Sequence, residues 1–383
     1  MDLMDNAHQS YDLAQMQSLP LEAKIRMTKQ RIRAWYESWT RFEIYDKSTG
    51  KTRFVTIDTR EFGAEPKMKE SEYIVSAESG QVYVSFSGGK DSTVLKHIVD
   101  SMYNDVPSLF VNTGLEYPEI QKFAMSQKNV ITVRPEMRFD EVIKKYGYPV
   151  VSKVVAHNVD VSRRNPNGKV AKNIMFNPNR SGLFNHYKWN YLVDAPFLVS
   201  EKCCDTMKKK PSKEYSKLTG RKPILGTMAH ESNMRYAQWL KHGCNAFESS
   251  NPASAPLSFW TEQDILHYIK KYDVPYCSVY GDIVVDFKDG TPNDQINIID
   301  YLGEYEDGDK LKTTGCNRTG CIFCMFGCHL EKEPNRFQKL KETHPRQYEY
   351  CIGGGELVDG KWQPSKQGLG LGKVLDYIGV KYD

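Results

Sequence analysis

Six consecutive residues, Ser87-Gly-Gly-Lys-Asp-Ser92, follow the apolar run Gln81-Val-Tyr-Val-Ser-Phe86 and lead into Thr93-Val-Leu95. That order predicts a strand, a glycine turn and a helix, and the chemistry it suits is anion binding. Gly88 and Gly89 let the backbone turn tightly and approach a ligand, while a helix start offers unpaired N–H groups and the positive end of its dipole. Lys90 adds a mobile charge, Ser87 and Ser92 add hydroxyl donors, and Asp91 a carboxylate suited to orienting magnesium or the loop itself. The phosphates of a nucleotide fit this set. The plain alternative is a strand-to-helix turn whose glycines serve geometry alone. The loop is shorter than the GxxxxGK[ST] form, which spaces its glycines by four residues.

Thiols form the second cluster. Cys203-Cys204 lies just before Lys208-Lys-Lys210, and Cys316, Cys321, Cys324 and Cys328 lie within 13 residues, followed by His329. A CxxC pair needs only a short loop to aim two sulfurs at one metal, and a distant Cys-Cys pair can complete four thiolates. The local spacing of Cys316, Cys321, Cys324 and Cys328, with His329, equally suits a zinc knuckle, and a third reading is that these thiols are simply buried. Cys244, Cys277 and Cys351 are isolated and read as core or surface residues.

Two more loops end predicted strands. Asn112-Thr-Gly-Leu-Glu-Tyr-Pro-Glu119 follows Pro107–Val111, with Pro118 suited to a first helical turn. Its Glu116 fits either a ligand hydroxyl or magnesium, or equally the local N–H groups of a helix start. Thr227-Met-Ala-His-Glu-Ser-Asn-Met-Arg235 follows Pro223–Gly226; Gly226 permits close approach, and the fork of Arg235 suits an oxyanion. Thr261 and Asp264 have the spacing of a helix capping box.

Elements must hold these groups together. Strands are predicted at 81–86, 107–112, 130–134 and 223–228 with helical segments between them, which implies parallel pairing and ligands at the carboxyl ends of the strands. The prediction is α/β, a mostly parallel sheet with helices on both faces. Ahead of it, residues 1–75 carry an amphipathic helix at Leu19–Trp39 and a hairpin around Asp46–Gly50, with no chemistry of their own. Residues 76–300 form the nucleotide domain, and 301–383 the cysteine-cluster region with its tail. The stretch 155–190, rich in Asn, Arg and aromatics, reads as a long irregular excursion or lid, and its basic aromatic character is a weak hint at a polynucleotide. A chain of 383 residues with 40% hydrophobic content and a formal charge of +4 buries a sizeable core and has no overall bias toward polyanions. No apolar run reaches about 18 residues and no signal peptide is evident, so no membrane role is expected and the cytoplasm, a reducing compartment, is the expected location.

The Ser87–Ser92 loop, the Thr113-Gly114…Glu116 loop, Cys203-Cys204, the Gly226…Glu231-Ser232…Arg235 element and Cys321-x-x-Cys324 together resemble the phosphoadenosine phosphosulfate (PAPS) reductase family of the PP-loop ATP pyrophosphatase superfamily, over roughly residues 76–350. The resemblance implies an adenine nucleotide alpha-hydrolase-like fold that binds ATP, adenylylsulfate or PAPS, with Mg2+. Ser87, Gly88, Gly89, Lys90, Asp91, Ser92, Thr113, Gly114, Glu116 and Gly226 would then touch the nucleotide, and Lys90, Asp91 and Arg235 would carry the chemistry. In the iron-sulfur branch the split thiols Cys203, Cys204, Cys321 and Cys324 would hold a [4Fe-4S] cluster, with Arg318-Thr-Gly320 as lead-in; under the zinc reading the Cys203-Cys204 pair has no role. His230 departs from the basic residues usual in sulfonucleotide reductases.

Two chemistries follow from the resemblance. Reductases attack the sulfur of adenylylsulfate with a cysteine near the C-terminus and release sulfite; ATP pyrophosphatases cleave ATP between the α- and β-phosphates to adenylate an oxygen that sulfur then displaces. The segment Gly368–Asp383 holds no cysteine, Cys351 being the last, so adenylation coupled to sulfur transfer is the favoured reading, with sulfonucleotide reduction and non-catalytic nucleotide binding as alternatives. A sulfur-donor protein and a polynucleotide acceptor are conceivable partners on this reading; donor, acceptor and oligomeric state are not written in the chain.

Overall fold

Val82–Phe86, here β4, buries residues on both faces, as a strand at the centre of a parallel sheet must. In the computed structural model, which describes residues 8–180, 185–286 and 309–383, it is the third strand of a six-stranded sheet. The order is β6-β5-β4-β8-β10-β9, with β5 at Ser108–Val111, β6 at Val130–Val133, β8 at Lys222–Leu225, β9 at Asn245–Ala246 and β10 at Ala253–Ser254. All pairings are parallel except β9 with β10. The α/β class with a mostly parallel sheet flanked by helices is therefore as expected, and the four predicted strands stand within two residues or three of their anticipated bounds.

The chain divides into two compact units. The first takes in Met1–Val111, Pro118–Val133 and Ser212–Thr319, and contains this sheet. Helix α3 (Lys90–Asp100) connects β4 to β5 and α4 (Pro118–Ser126) lies between β5 and β6. Val94, Leu95, Ile98 and Val99 recur at helical spacing on α3 and are fully buried. From β4 the chain steps to β5 and β6 on one side, then returns as β8 on the other. The order reverses beside β4, and such a switch point leaves a crevice at the strand ends.

The N-terminal helix and hairpin belong to the same unit. After α1 (Ser10–Gln17), α2 spans Leu21–Glu37, close to the predicted helix, and buries Ile25, Ile32 and Trp35. The Trp260 indole donates to Thr28 at 2.8 Å, and Lys24 forms an ion pair with Asp264 at 2.7 Å. Asp264 also accepts the Thr261 N–H and hydroxyl at the start of α10 (Glu262–Lys271), completing the predicted capping box. The hairpin is β1 (Trp39–Asp46) with β2 (Lys51–Asp58). A third strand, β3 (Glu72–Glu78), adds antiparallel to β1 past a bulge at Glu43/Ile44. It was not predicted, because it is mostly exposed and lacks the alternation that marks a half-buried strand.

The second unit comprises Asn112–Tyr117, Arg134–Pro211 and Gly320–Asp383. It holds α5 (Phe139–Tyr146), a two-residue strand β7 (Val150–Val151) paired in parallel with Met325–Phe326, α6 (Lys153–Arg164) and the short α7 (Lys202–Cys204). The excursion read as irregular is thus partly helical, with further single turns at Ala171–Met175 and Tyr187–Val193; residues 181–184 lie outside the described set, as do 287–308 of the two predicted C-terminal regions. Arg163 donates to the carbonyls of Leu192, Val193, Ala195 and Phe197 at 2.6–3.0 Å, so one side chain supplies the order that the sequence pattern lacks. The tail folds as well: the helix Leu371–Tyr377 buries Leu371, Val374 and Leu375 in one core with Cys351 and Phe337. Helix α8 is Lys210–Thr219 and α9 is Asn233–His242.

Candidate functional site

The crevice of the first unit is lined from the end of β4 by Ser87, Gly89, Lys90, Asp91 and Ser92, and from the end of β8 by Gly226, Thr227, Glu231 and Arg235. Tyr280, Arg318 and Thr319 complete its wall. Its volume of about 260 Å³ admits a polyphosphate rather than a lone water. Gly88 sits at φ +74°, and a Cβ there would meet Ile120 at 3.0 Å, so only glycine suits the turn. Gly226 is needed for a different contact: its Cβ would lie 3.1 Å from the backbone of Asp91 and Ser92, where β8 abuts the first turn of α3. The loop braces itself, with Ser92 Oγ accepting the Ser87 N–H at 3.2 Å and donating to the Gly89 carbonyl at 2.9 Å.

The charges of the crevice are paired with one another. Lys90 Nζ is buried, 2.9 Å from Glu262 Oε1, and donates to the Asn317 carbonyl at 2.5 Å. Its backbone N–H donates to the Tyr280 hydroxyl at 3.1 Å, which is 2.6 Å from Thr319 Oγ1. Glu231 is buried between Arg235 and Arg318, bonded to both guanidinium groups, and accepts the Met228 N–H at 2.9 Å. Burial pulls Arg235 below the ordinary arginine range, and the neighbouring Arg318 charge adds to this. Asp91 is the exception: its Oδ1 is buried with no hydrogen-bond partner, and burial pushes its carboxyl up against the opposing pull of Lys90 and Arg318. An orphaned carboxylate oxygen in a cleft of cations fits a divalent ion arriving with a polyphosphate.

Thr113, Gly114 and Glu116 belong to the second unit. There Glu116 accepts the Thr113 N–H at 3.1 Å and its hydroxyl at 2.7 Å, the local pattern of a turn carboxylate, and stands 3.9 Å from Lys208 Nζ. Gly114 sits at φ +74°, which the turn requires.

Cys203, Cys204, Cys321 and Cys324 line one apolar pocket in this unit, with Leu115, Phe139, Pro149, Met207 and Lys208. Cys203 and Cys204 come from α7 and approach to 3.9 Å between sulfurs. The CxxC turn is fixed by the Ile322 N–H on the Leu115 carbonyl at 2.8 Å and by Arg336 on the Cys324 carbonyl at 2.9 Å. The Cys203 thiol, donating to Cys204, is pushed far up by that bond and by burial, whereas the same bond, with Lys153 and Lys208 nearby, draws Cys204 down to about 6. Burial pushes Cys321 up to about 11 and Cys324 upward too.

Among the described residues no three His, Cys, Asp or Glu side chains are spaced to hold one metal ion. A single tetrahedral zinc with bonds of about 2.3 Å would draw its four sulfurs to about 3.8 Å from each other. A four-iron cluster takes wider-set thiolates, which these four cysteines would supply only once the 3.9 Å approach of Cys203 and Cys204 has opened. The pocket as it stands, about 20 Å³, holds no more than a water, so loading requires the sulfurs to spread. The members that only the zinc knuckle would use do not line this pocket. Cys316 belongs to the first unit, where its N–H bonds the Val279 carbonyl; Cys328 is buried and its thiol faces the Met325 carbonyl at 3.0 Å.

Glu231, Glu262 and Tyr280 were not anticipated as site residues. Glu231 was read only as part of the Gly226…Glu231-Ser232…Arg235 element, and Glu262 only stood beside the Thr261 and Asp264 capping pair. Tyr280 carries no motif at all. His230, exposed, does not line the crevice.

Fold and crevice together define an α/β protein with a mostly parallel sheet and a polar crevice at its switch point. The phosphoadenosine phosphosulfate reductase domain family matches residues 81–157 and 125–325, and the chain belongs to that family. It is similar to sulfate adenylyltransferase subunit 2 of Rhizobium tropici, 25% identical over 213 residues, covering 54% of this chain and 59% of that protein. It is also similar to an uncharacterized protein of Methanocaldococcus jannaschii, 33% identical over 72 residues, 18% of each chain. The chain thus spans less than two thirds of both curated relatives. Among solved structures, the PAPS reductase of Candida auris in its phosphate complex aligns with a TM-score of 0.29 and 17% identity, over 52% of this chain and 75% of that one. No described helix is long and apolar enough to cross a membrane.

Proposed function

We propose that the chain is an ATP pyrophosphatase that couples adenylation to sulfur transfer. The observation that carries this reading is the burial of Cys351. It is the last cysteine, fully buried among Leu369, Leu371 and Val374, and burial holds its thiol well above the ordinary range. A reductase of this family needs an exposed thiolate, and Cys351 is not one. A relative named as an adenylyltransferase adds support for adenylyl chemistry.

ATP binds with its β- and γ-phosphates in the turn of Gly88 and Gly89, at the first N–H groups of α3. Lys90 leaves Glu262 for the phosphates, and Asp91 takes the magnesium that accompanies them. An acceptor oxygen attacks the α-phosphorus in line, the α–β P–O bond breaks, and pyrophosphate leaves with its charge neutralised by Lys90 and Arg235. A sulfur nucleophile then displaces the adenylylated oxygen, releasing AMP. Cys203, Cys204, Cys321 and Cys324 would hold a [4Fe-4S] cluster, which when bound supplies a one-electron redox centre. These residues themselves exclude water, with Phe139, Leu115 and Met207 closing the pocket. The test is product analysis with Lys90→Ala as control: AMP and pyrophosphate from ATP support the reading, and sulfite from adenylylsulfate without pyrophosphate from ATP refutes it.

A further inference from the structure

The charge of this chain is unevenly divided. The second unit carries 24 Lys and Arg against 16 Asp and Glu, net +8, which leaves the first unit at −4. Most of the excess lies in 153–191, with seven basic residues and one acid, Asp160, which is itself paired with Arg164 at 2.7 Å. In this segment α6, the turn Ala171–Met175 and the turn Tyr187–Val193 pack on one another, joined by Arg163 and by Asn158 to His186 at 2.9 Å. The charges therefore sit on an ordered surface. Lys153, Lys169, Lys172 and Lys188 are exposed on it, and no acid of the described segment is. Exposed large rings are interleaved with them, Phe176 at 44% and Tyr187 at 41%.

We propose that this surface binds a single-stranded polynucleotide. Lys169, Lys172 and Lys188, in a segment that exposes no acid of its own, supply a track for phosphates, and rings left in water supply faces for bases. The rings select the single strand, because a duplex keeps its base faces stacked and unavailable. A surface evolved only for solubility would interleave acids and hide its rings. The proposal does not depend on the ATP chemistry.

The test is fluorescence anisotropy of the full-length chain with a labelled single strand of about 20 nucleotides, as DNA and as RNA, and with the matching duplex. About four phosphate contacts give a log–log salt slope of about −3, so affinity drops about fifty-fold between roughly 50 and 200 mM salt. Lys169→Glu with Lys172→Glu weakens both single strand and duplex more than tenfold. Phe176→Ala and Tyr187→Ala each weaken the single strand about tenfold and leave the duplex unchanged. Lys90→Ala binds as the wild type does, which separates this surface from nucleotide turnover. Circular dichroism melts check that each variant is folded. Equal binding of duplex and single strand with no effect of the ring variants overturns the proposal, as does absence of binding at low salt or tighter binding to anionic lipid vesicles than to the oligonucleotide.

Discussion

Lys90 Nζ stands 2.9 Å from the Glu262 carboxylate, so the lysine of the phosphate loop is held by a carboxylate at the start of α10. A phosphate must displace that partner. Glu262 is about half exposed, and such pairs contribute only ~0.2–1 kcal/mol. Glu262→Gln should therefore lower the KM for ATP by at most about fivefold with little change in kcat, whereas Lys90→Ala should abolish turnover. Steady-state kinetics on both variants checks this.

Asp91 gives a pH signature. Its folded carboxyl lies above its ordinary value because it is buried, so the native state binds its proton more tightly than the unfolded chain does. Native stability relative to Asp91→Asn is then unaffected below about pH 4 and falls as pH rises through the folded value. In the absence of nucleotide and magnesium, Asp91→Asn should melt higher by about a few degrees at pH 7 and no higher near pH 3. The same variant should lose magnesium-dependent ATP binding, read by calorimetry.

At Gly88 the backbone is left-handed and the space is closed. Alanine there costs about 1–2 kcal/mol in conformation alone, before the contact with Ile120 is relieved. Gly88→Ala should lower the melting temperature and cut nucleotide affinity at least tenfold. Gly114→Ala, where no atom lies within 4 Å of the added Cβ, should show the conformational cost only.

The thiol pocket separates iron from zinc. Cys321→Ser and Cys203→Ser should each lose most bound iron and sulfide after anaerobic purification, while Cys316→Ser and Cys328→Ser retain both. One zinc per chain, lost on Cys316→Ser, would instead favour the knuckle.

Much of the fold was legible because its strands are short, apolar and bounded. Val82–Phe86 and Ser108–Val111 are mostly buried, and burial of successive residues writes a mostly apolar run. The Ser87–Ser92 turn was legible because its glycines are demanded by φ and by close approach. What escaped was long-range pairing. Glu231 joins Arg235, four residues away, to Arg318, 87 residues away, and Tyr280 reaches Lys90 across 190. No local pattern records such contacts. The ordering of the 187–197 stretch by Arg163 escaped for the same reason, and β3 because its exposed residues write no alternation.

The central claim is α–β cleavage of ATP, and the most direct measurement is chromatographic analysis of the products from ATP and Mg2+ with the anaerobically purified chain, beside adenylylsulfate with a dithiol reductant. The account predicts AMP and pyrophosphate from ATP, absent in Lys90→Ala, and no sulfite from adenylylsulfate. Sulfite from adenylylsulfate, with ATP left intact, would contradict it.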